Sequence, residues 1–179
     1  MITAINHSIA VAVFSFFSKS MLMEYIAIIF SDGTLVIAFA LYVFVMLPLR
    51  RKGMYSRTVF HDILPALSAM LVVLLLKYLF PSDRPYAALH LVPFVPATDP
   101  HASFPSMHSA LIAAFATTLL STHPRLGKVI AFMVPFTMLG RVAVGVHWAS
   151  DVLIGASIGI VVALCYGPLE KKWSMKKPG

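Results

Sequence analysis

The sequence predicts an all-α protein built for a bilayer: a polytopic membrane helix bundle of five or six spans with an N-terminal interfacial helix. Three observations predict it. Apolar residues make up 59% of the 179 and charged residues 12%, where ordinary globular domains hold roughly 45–50% and 25%. A chain so poor in charge cannot cover a soluble core with polar surface, and a bilayer is its natural solvent. Apolar segments recur along the chain between short polar connections, and the basic residues gather in alternate connections.

The elements follow in order. Residues 1–31 hold two short apolar stretches, Ile5 to Phe17 and Met21 to Phe30, broken by polar residues and closed by Ser31-Asp32-Gly33. They read as helices lying at the interface with their apolar side chains pointing down, the alternative being a sixth span built from part of them. The N-terminus lacks the basic region of a cleaved signal peptide, so it is expected to be retained. Thr34 to Leu49 is the first clear span, followed by Phe60 to Phe80, Pro105 to Leu120, Ile130 to Val144 and Trp148 to Tyr166. Residues 34–168 form the core of a single domain covering 1–179. Gly155 and Gly159 make a GxxxG in the last span, which lets helices approach closely. Cys165 forms no internal disulfide and belongs to no zinc-type spacing; it reads as small core filler.

The net charge of +7 could mark a nucleic-acid surface, but its placement argues for topology. Arg50, Arg51, Lys52 and Arg57 follow the first span, Arg125 and Lys128 the third, and Lys171, Lys172, Lys176 and Lys177 the fifth. These are ten of the fourteen Lys and Arg residues, and five spans put them all on one side. The positive-inside rule makes that side cytoplasmic, in reach of anionic lipid headgroups. The expected location is the inner (plasma) membrane, with the C-terminus cytoplasmic. The opposite side, facing the periplasm or exterior, holds the longest connection, Pro81 to Phe104. Its prolines exclude a long helix, and a loop of that length in a small domain is usually functional.

Three polar clusters fall at the outer ends of spans: Lys77, Arg84 and Pro85 in KYLFPSDRP; Pro105, Ser106 and His108 in SFPSMHSA; Arg141, His147 and Asp151 in GRVAVGVHWASD. A phosphoryl group needs fixed cations and backbone N–H groups. Arg84 and Arg141 offer planar forks and Lys77 a point charge. Ser106 opens a helix after Pro105, where its hydroxyl and the first-turn N–H groups, that of Met107 among them, can meet an anion and stabilise five-coordinate phosphorus. His147 and Asp151 are four apart, a turn along one helix face. A carboxylate on one imidazole nitrogen leaves the other free to attack, and His108 can then protonate the departing oxygen.

Each residue alone has a plainer reading. Lys77 could snorkel to the interface, His108 could be a satisfied buried histidine, and His147 with Asp151 could be a structural pair. Six ionisable candidates on one side, in three separated segments, argue for function, because such groups are costly near hydrocarbon. His7, His61 and His123 read as incidental, while His90 and His101 lie where they could touch a headgroup. Histidines and aspartates can bind metal, but the surrounding cations favour an anion.

These residues resemble the type 2 phosphatidic acid phosphatase family, which shares its core with the vanadium haloperoxidases. The motifs Lys-x6-Arg-Pro, Pro-Ser-x-His and Ser-Arg-x5-His-x3-Asp are matched at Lys77 to Pro85, Pro105 to His108 and Gly140 to Asp151. The resemblance implies a helical bundle, a covalent phosphohistidine on His147, no required metal or cofactor, and a lipid phosphate or diphosphate substrate. It implies that Lys77, Arg84, Ser106 and Arg141 bind phosphate, that His108 acts as acid and that Asp151 supports His147. Two positions depart from the pattern. Met107 fills a place often held by glycine or aspartate, and Gly140 replaces the usual serine, removing one hydroxyl.

Within the family, the short chain with HASFPSMHSA and GRVAVGVHWASD looks most like bacterial undecaprenyl-diphosphate phosphatases of the bacitracin-resistance type. That likeness implies release of phosphate from a carrier lipid used in cell-wall biogenesis. The same cradle would serve a phosphatase of phosphatidic acid, phosphatidylglycerol phosphate or lipid A, or a lipid phosphotransferase. A vanadate-dependent peroxidase is disfavoured by the membrane spans, and a non-catalytic lipid binder by the complete His147, Asp151 and His108 set.

Overall fold

The computed structural model describes residues 2–47, 55–96 and 99–174. Among these the chain is helical, with no named strand. The helices are α1 (Ile2–Phe17), α2 (Met21–Ile28), a π-helical turn (Ile29–Gly33), α3 (Thr34–Met46), α4 (Tyr55–Leu79), the short α5 (Pro85–Ala88), α6 (Met107–Thr122), α7 (Pro124–Ala143) and α8 (Ala149–Ser174). Four stretches are long and apolar enough to cross a membrane: Met21–Met46, Phe60–Leu79, Pro124–Ala143 and Ala149–Tyr166. The chain is a polytopic membrane helix bundle. Of the basic residues that set the expected topology, Arg50, Arg51, Lys52, Lys176 and Lys177 lie outside the described residues.

The first span differs from the sequence expectation. Ser31-Asp32-Gly33 does not end the preceding apolar stretch. The helix runs on through these residues as a π turn, so Met21–Met46 is one 26-residue element and residues 21–31 belong to its first half. The wider turn keeps the backbone hydrogen-bonded, as at the Thr34 N–H to the Ile29 carbonyl, which hydrocarbon requires of any chain crossing it. π turns are rare and often functional. Only α1 remains a separate N-terminal helix. It packs on the site end of the bundle, where Phe14 stacks on Phe94 at 4.8 Å and Asn6 Nδ2 donates to Ser150 Oγ at 2.8 Å.

At the centre lies α6, packed by α4, α7 and α8. Its buried face is small, with Ala110, Ala113 and Ala114 nearly inaccessible. Gly155 and Gly159 of α8 lie against the backbone of Ser106 and Ala110, and a Cβ at either would collide with those carbonyl oxygens. The GxxxG of α8 therefore seats α6 within the bundle. Cys165, expected in the core, is exposed on α8. At the other end of the bundle Asp62 is fully buried; it accepts from the Tyr42 hydroxyl at 3.1 Å and lies 3.2 Å from His123 Nε2. His123 thus packs on a buried carboxylate.

An apolar cleft of about 480 Å³ opens between α3, α4 and α6, lined by Leu35, Phe39, Ile63, Leu67, Leu111 and Phe115 among others. Leu35 and Leu111 each stand three residues past Asp32 and His108, so the cleft begins one helical turn from them.

Candidate active site

The loop from Pro81 to Phe104 closes on itself. The Ser82 N–H donates to the His101 carbonyl, the Ser103 N–H to the Ser82 carbonyl, and the Arg84 N–H to the Pro100 carbonyl. This zipper brings Arg84, the N-cap of α5, beside the last turn of α4, where Lys77 stands. Lys77 Nζ donates to the carbonyls of Ala102 (2.6 Å) and Ser103 (3.1 Å). Arg84 Nε donates to the Asp99 carbonyl (2.7 Å) and its Nη1 to the Val146 carbonyl (3.0 Å). Each cation is thus held by part of its donor set and keeps the rest. His101 Nδ1 lies 2.6 Å from Asp83 at the exposed loop surface, and His90 is also exposed.

From the other side, α7 carries Arg141 in its last turn, and the chain then turns through Gly145, whose φ of +81° suits a residue without a Cβ. The turn folds back so that the His147 N–H donates to the Arg141 carbonyl at 3.3 Å. His147 and Asp151 are each 2% exposed. His147 Nδ1 lies 3.7 Å from Asp151 Oδ2, an ion-pair distance longer than a hydrogen bond. Burial pushes the His147 imidazole well below the ordinary histidine range; Asp151 opposes this, while Arg141, Arg84 and Lys77 add to it. These surroundings favour the neutral form of the ring.

Asp151 is anchored more firmly than the sequence suggests. Its Oδ2 accepts from Ser103 Oγ at 2.6 Å and from the Trp148 N–H at 3.0 Å. Ser106 is the buried N-cap of α6; its N–H donates to the Asp151 carbonyl (3.0 Å), and its hydroxyl accepts from Ser109 Oγ (3.2 Å). This ties the start of α6 to the start of α8, with Met107 and His108 in the first helical turn. All eight residues singled out from the sequence, Lys77, Arg84, Ser106, Met107, His108, Arg141, His147 and Asp151, fall at this one end of the bundle.

Sequence reasoning missed three side chains. Ser103 holds Asp151. Ser31 and Asp32 reach the site from the π turn: Arg141 Nη1 donates to Ser31 Oγ and to Asp32 Oδ1, both at 2.8 Å, and His108 Nε2 lies 2.9 Å from the same Asp32 oxygen. The signal for Asp32 was present, since a carboxylate within an apolar run is costly and usually functional. It was masked because Ser-Asp-Gly also reads as a helix stop. Arg141 Nε is buried without a partner among the described residues.

Residues 58–173 match the PAP2 superfamily. The chain belongs to this family. Among the proteins it resembles is an undecaprenyl-diphosphatase from Sulfolobus acidocaldarius, 30% identical over 105 residues, or 56% of this chain. The match covers 50% of that relative, so the chain spans about half its length. Two crystal structures share the fold of this PAP2 protein. The PAP2 type phosphatidylglycerolphosphate phosphatase of Bacillus subtilis superposes with a TM-score of 0.70 at 19% identity, over 96% of this chain and 87% of that one. LpxE of Aquifex aeolicus superposes with a TM-score of 0.63 at 22% identity, over 88% and 92%.

Proposed function

We propose that this PAP2 protein is a membrane lipid phosphatase, which converts a prenyl diphosphate of the undecaprenyl type to its monophosphate and inorganic phosphate. The observation that carries the reading is a buried imidazole, His147, set 3.7 Å from Asp151 at the end of the bundle that also holds Arg141, Arg84 and Lys77. In this reading the three cations and the first-turn N–H groups of α6, including that of Met107, hold the terminal phosphoryl oxygens. Ser106 adds its hydroxyl. His147 Nδ1 faces Asp151, so Nε2 attacks phosphorus; the P–N bond forms as the P–O bond to the lipid phosphate breaks. His108 gives a proton to the departing oxygen. Water then attacks the phosphohistidine, passing its proton to His108 and restoring both rings.

The apolar cleft supports a lipid substrate. It starts one turn from His108 and is lined almost wholly by hydrocarbon side chains, so the tail runs down it while the headgroup stays in the cradle. The prenyl diphosphate is favoured by the named relative at 30% identity. The site faces the periplasm or exterior in this reading, with the C-terminus on the cytoplasmic side.

The test is phosphate release by the purified protein from a panel of lipids: a polyprenyl diphosphate, phosphatidic acid, phosphatidylglycerol phosphate and lipid A. The polyprenyl diphosphate should be turned over fastest. Preference for a glycerolipid would replace the substrate and keep the chemistry. Normal turnover of every active lipid by folded His147→Ala would end the mechanism.

A further inference from the structure

Asp32 is a carboxylate planted inside an anion cradle, which needs a reason. One of its oxygens touches two groups that the chemistry requires: Arg141 Nη1 at 2.8 Å and His108 Nε2 at 2.9 Å. Ser31 Oγ takes a second bond from the same Nη1. Together they occupy both hydrogens of that nitrogen and leave the buried Nε without a partner, so Asp32 grips Arg141 without consuming all of its donors. A rival anion would be expected to cover the donors that phosphate needs.

Gly140 explains how Asp32 gets there. A Cβ at this position would collide with the backbone of Phe30 and Ser31. The missing side chain lets the π turn lie directly on α7. Where the family pattern carries serine at 140, this chain has no side chain, and Ser31 of the π turn lies against that backbone. The π turn, the glycine and the ion pair form one device.

We propose that Asp32 is a positioning residue for His108: its carboxylate, tethered to Arg141, aligns the imidazole and supports it as the proton donor to the leaving oxygen. This rests on the phosphatase reading. Arg141 and Arg84 both face His108 with positive charge, and Asp32 is the carboxylate facing it. With Nε2–H held by Asp32, Nδ1 hands over its proton as the P–O bond breaks, and the electron pair of that bond goes to the oxygen that receives it. The imidazole is left neutral, and the water that cleaves the phosphohistidine returns the proton. The apolar cleft begins a turn below this pair, where the lipid side of the scissile bond belongs.

A leaving group that needs no proton should not need Asp32. The experiment compares Asp32→Asn with the unaltered full-length protein in detergent, on an alkyl phosphate monoester and on p-nitrophenyl phosphate, measuring kcat and KM for each. The alkyl ester demands a proton on a poor leaving oxygen; the nitrophenolate leaves without one. The expected result is a kcat loss at least about tenfold greater on the alkyl ester than on the aryl ester, since proton transfer contributes roughly 10²–10⁴-fold. Asp32→Glu, which restores the charge on a longer arm, should recover part of the alkyl ester activity. Equal losses on the two esters, or no loss on either, would overturn the proposal. If Asp32→Asn does not fold, Asp32→Ser and Asp32→Glu give the same comparison. Absence of turnover by the unaltered protein on any phosphate ester or lipid would instead remove the phosphatase reading beneath it.

Discussion

His147 sits where the protein resists charging it. Its folded pKa is depressed by burial, against about 6.5 in an unfolded chain. Between those values the unfolded state binds a proton that the folded state refuses, so stability rises with pH and is lost as pH falls below about 6.5. Between pH 7 and pH 5 His147 alone should cost roughly 2 kcal/mol of stability. Denaturation in detergent should show that fall for the unaltered protein and a flatter profile for His147→Gln, which should also release no phosphate. An equally steep profile in the variant would mean that other groups set the acid sensitivity. Lys77, Arg84, Arg141 and His147 could be singled out from sequence because each belongs to a spaced motif. Ser103 and Asp32 were not, because their partners, Asp151 and His108, lie 48 and 76 residues away and no local pattern links them.

Among the elements, the close contacts are made by glycine. Gly140→Ser restores the residue usual in the family, yet here its Cβ would meet the backbone of the π turn. Overpacking of this kind costs about 1–3 kcal/mol, so this variant should melt earlier and lose activity as Asp32 is displaced. Retention of both stability and activity would show that the π turn can move away freely. Gly159→Leu drives a side chain into the Ala110 backbone of α6 and should destabilise the bundle by a similar amount, read by thermal unfolding. The cleft between α3, α4 and α6 offers a cleaner separation of function from stability. Leu67 is 44% exposed on its wall. Leu67→Trp should raise KM for long-tailed substrates by about tenfold, a binding loss near 1.4 kcal/mol, and leave a short-chain ester unaffected. Equal effects on both substrates would move the tail elsewhere.

For the whole molecule, the expected topology can be measured directly. Single cysteines at His90 and at Lys172, in a Cys165→Ser background, should label from opposite sides of intact cells, with His90 outside. Labelling of both from one side would overturn the orientation drawn from the basic connections. By itself the sequence determined that the chain is a membrane helix bundle, where the later spans run, and which motifs mark the candidate site. Those follow from hydropathy and local spacing, which act over a few turns. Only the tertiary structure decided that Met21–Met46 is one helix, that α8 grips α6 through its glycines, and that Asp32 enters the site. A glycine on α7 and a π turn a hundred residues earlier meet only once the helices pack, because close backbone approach depends on a missing side chain and leaves no periodic trace in either segment.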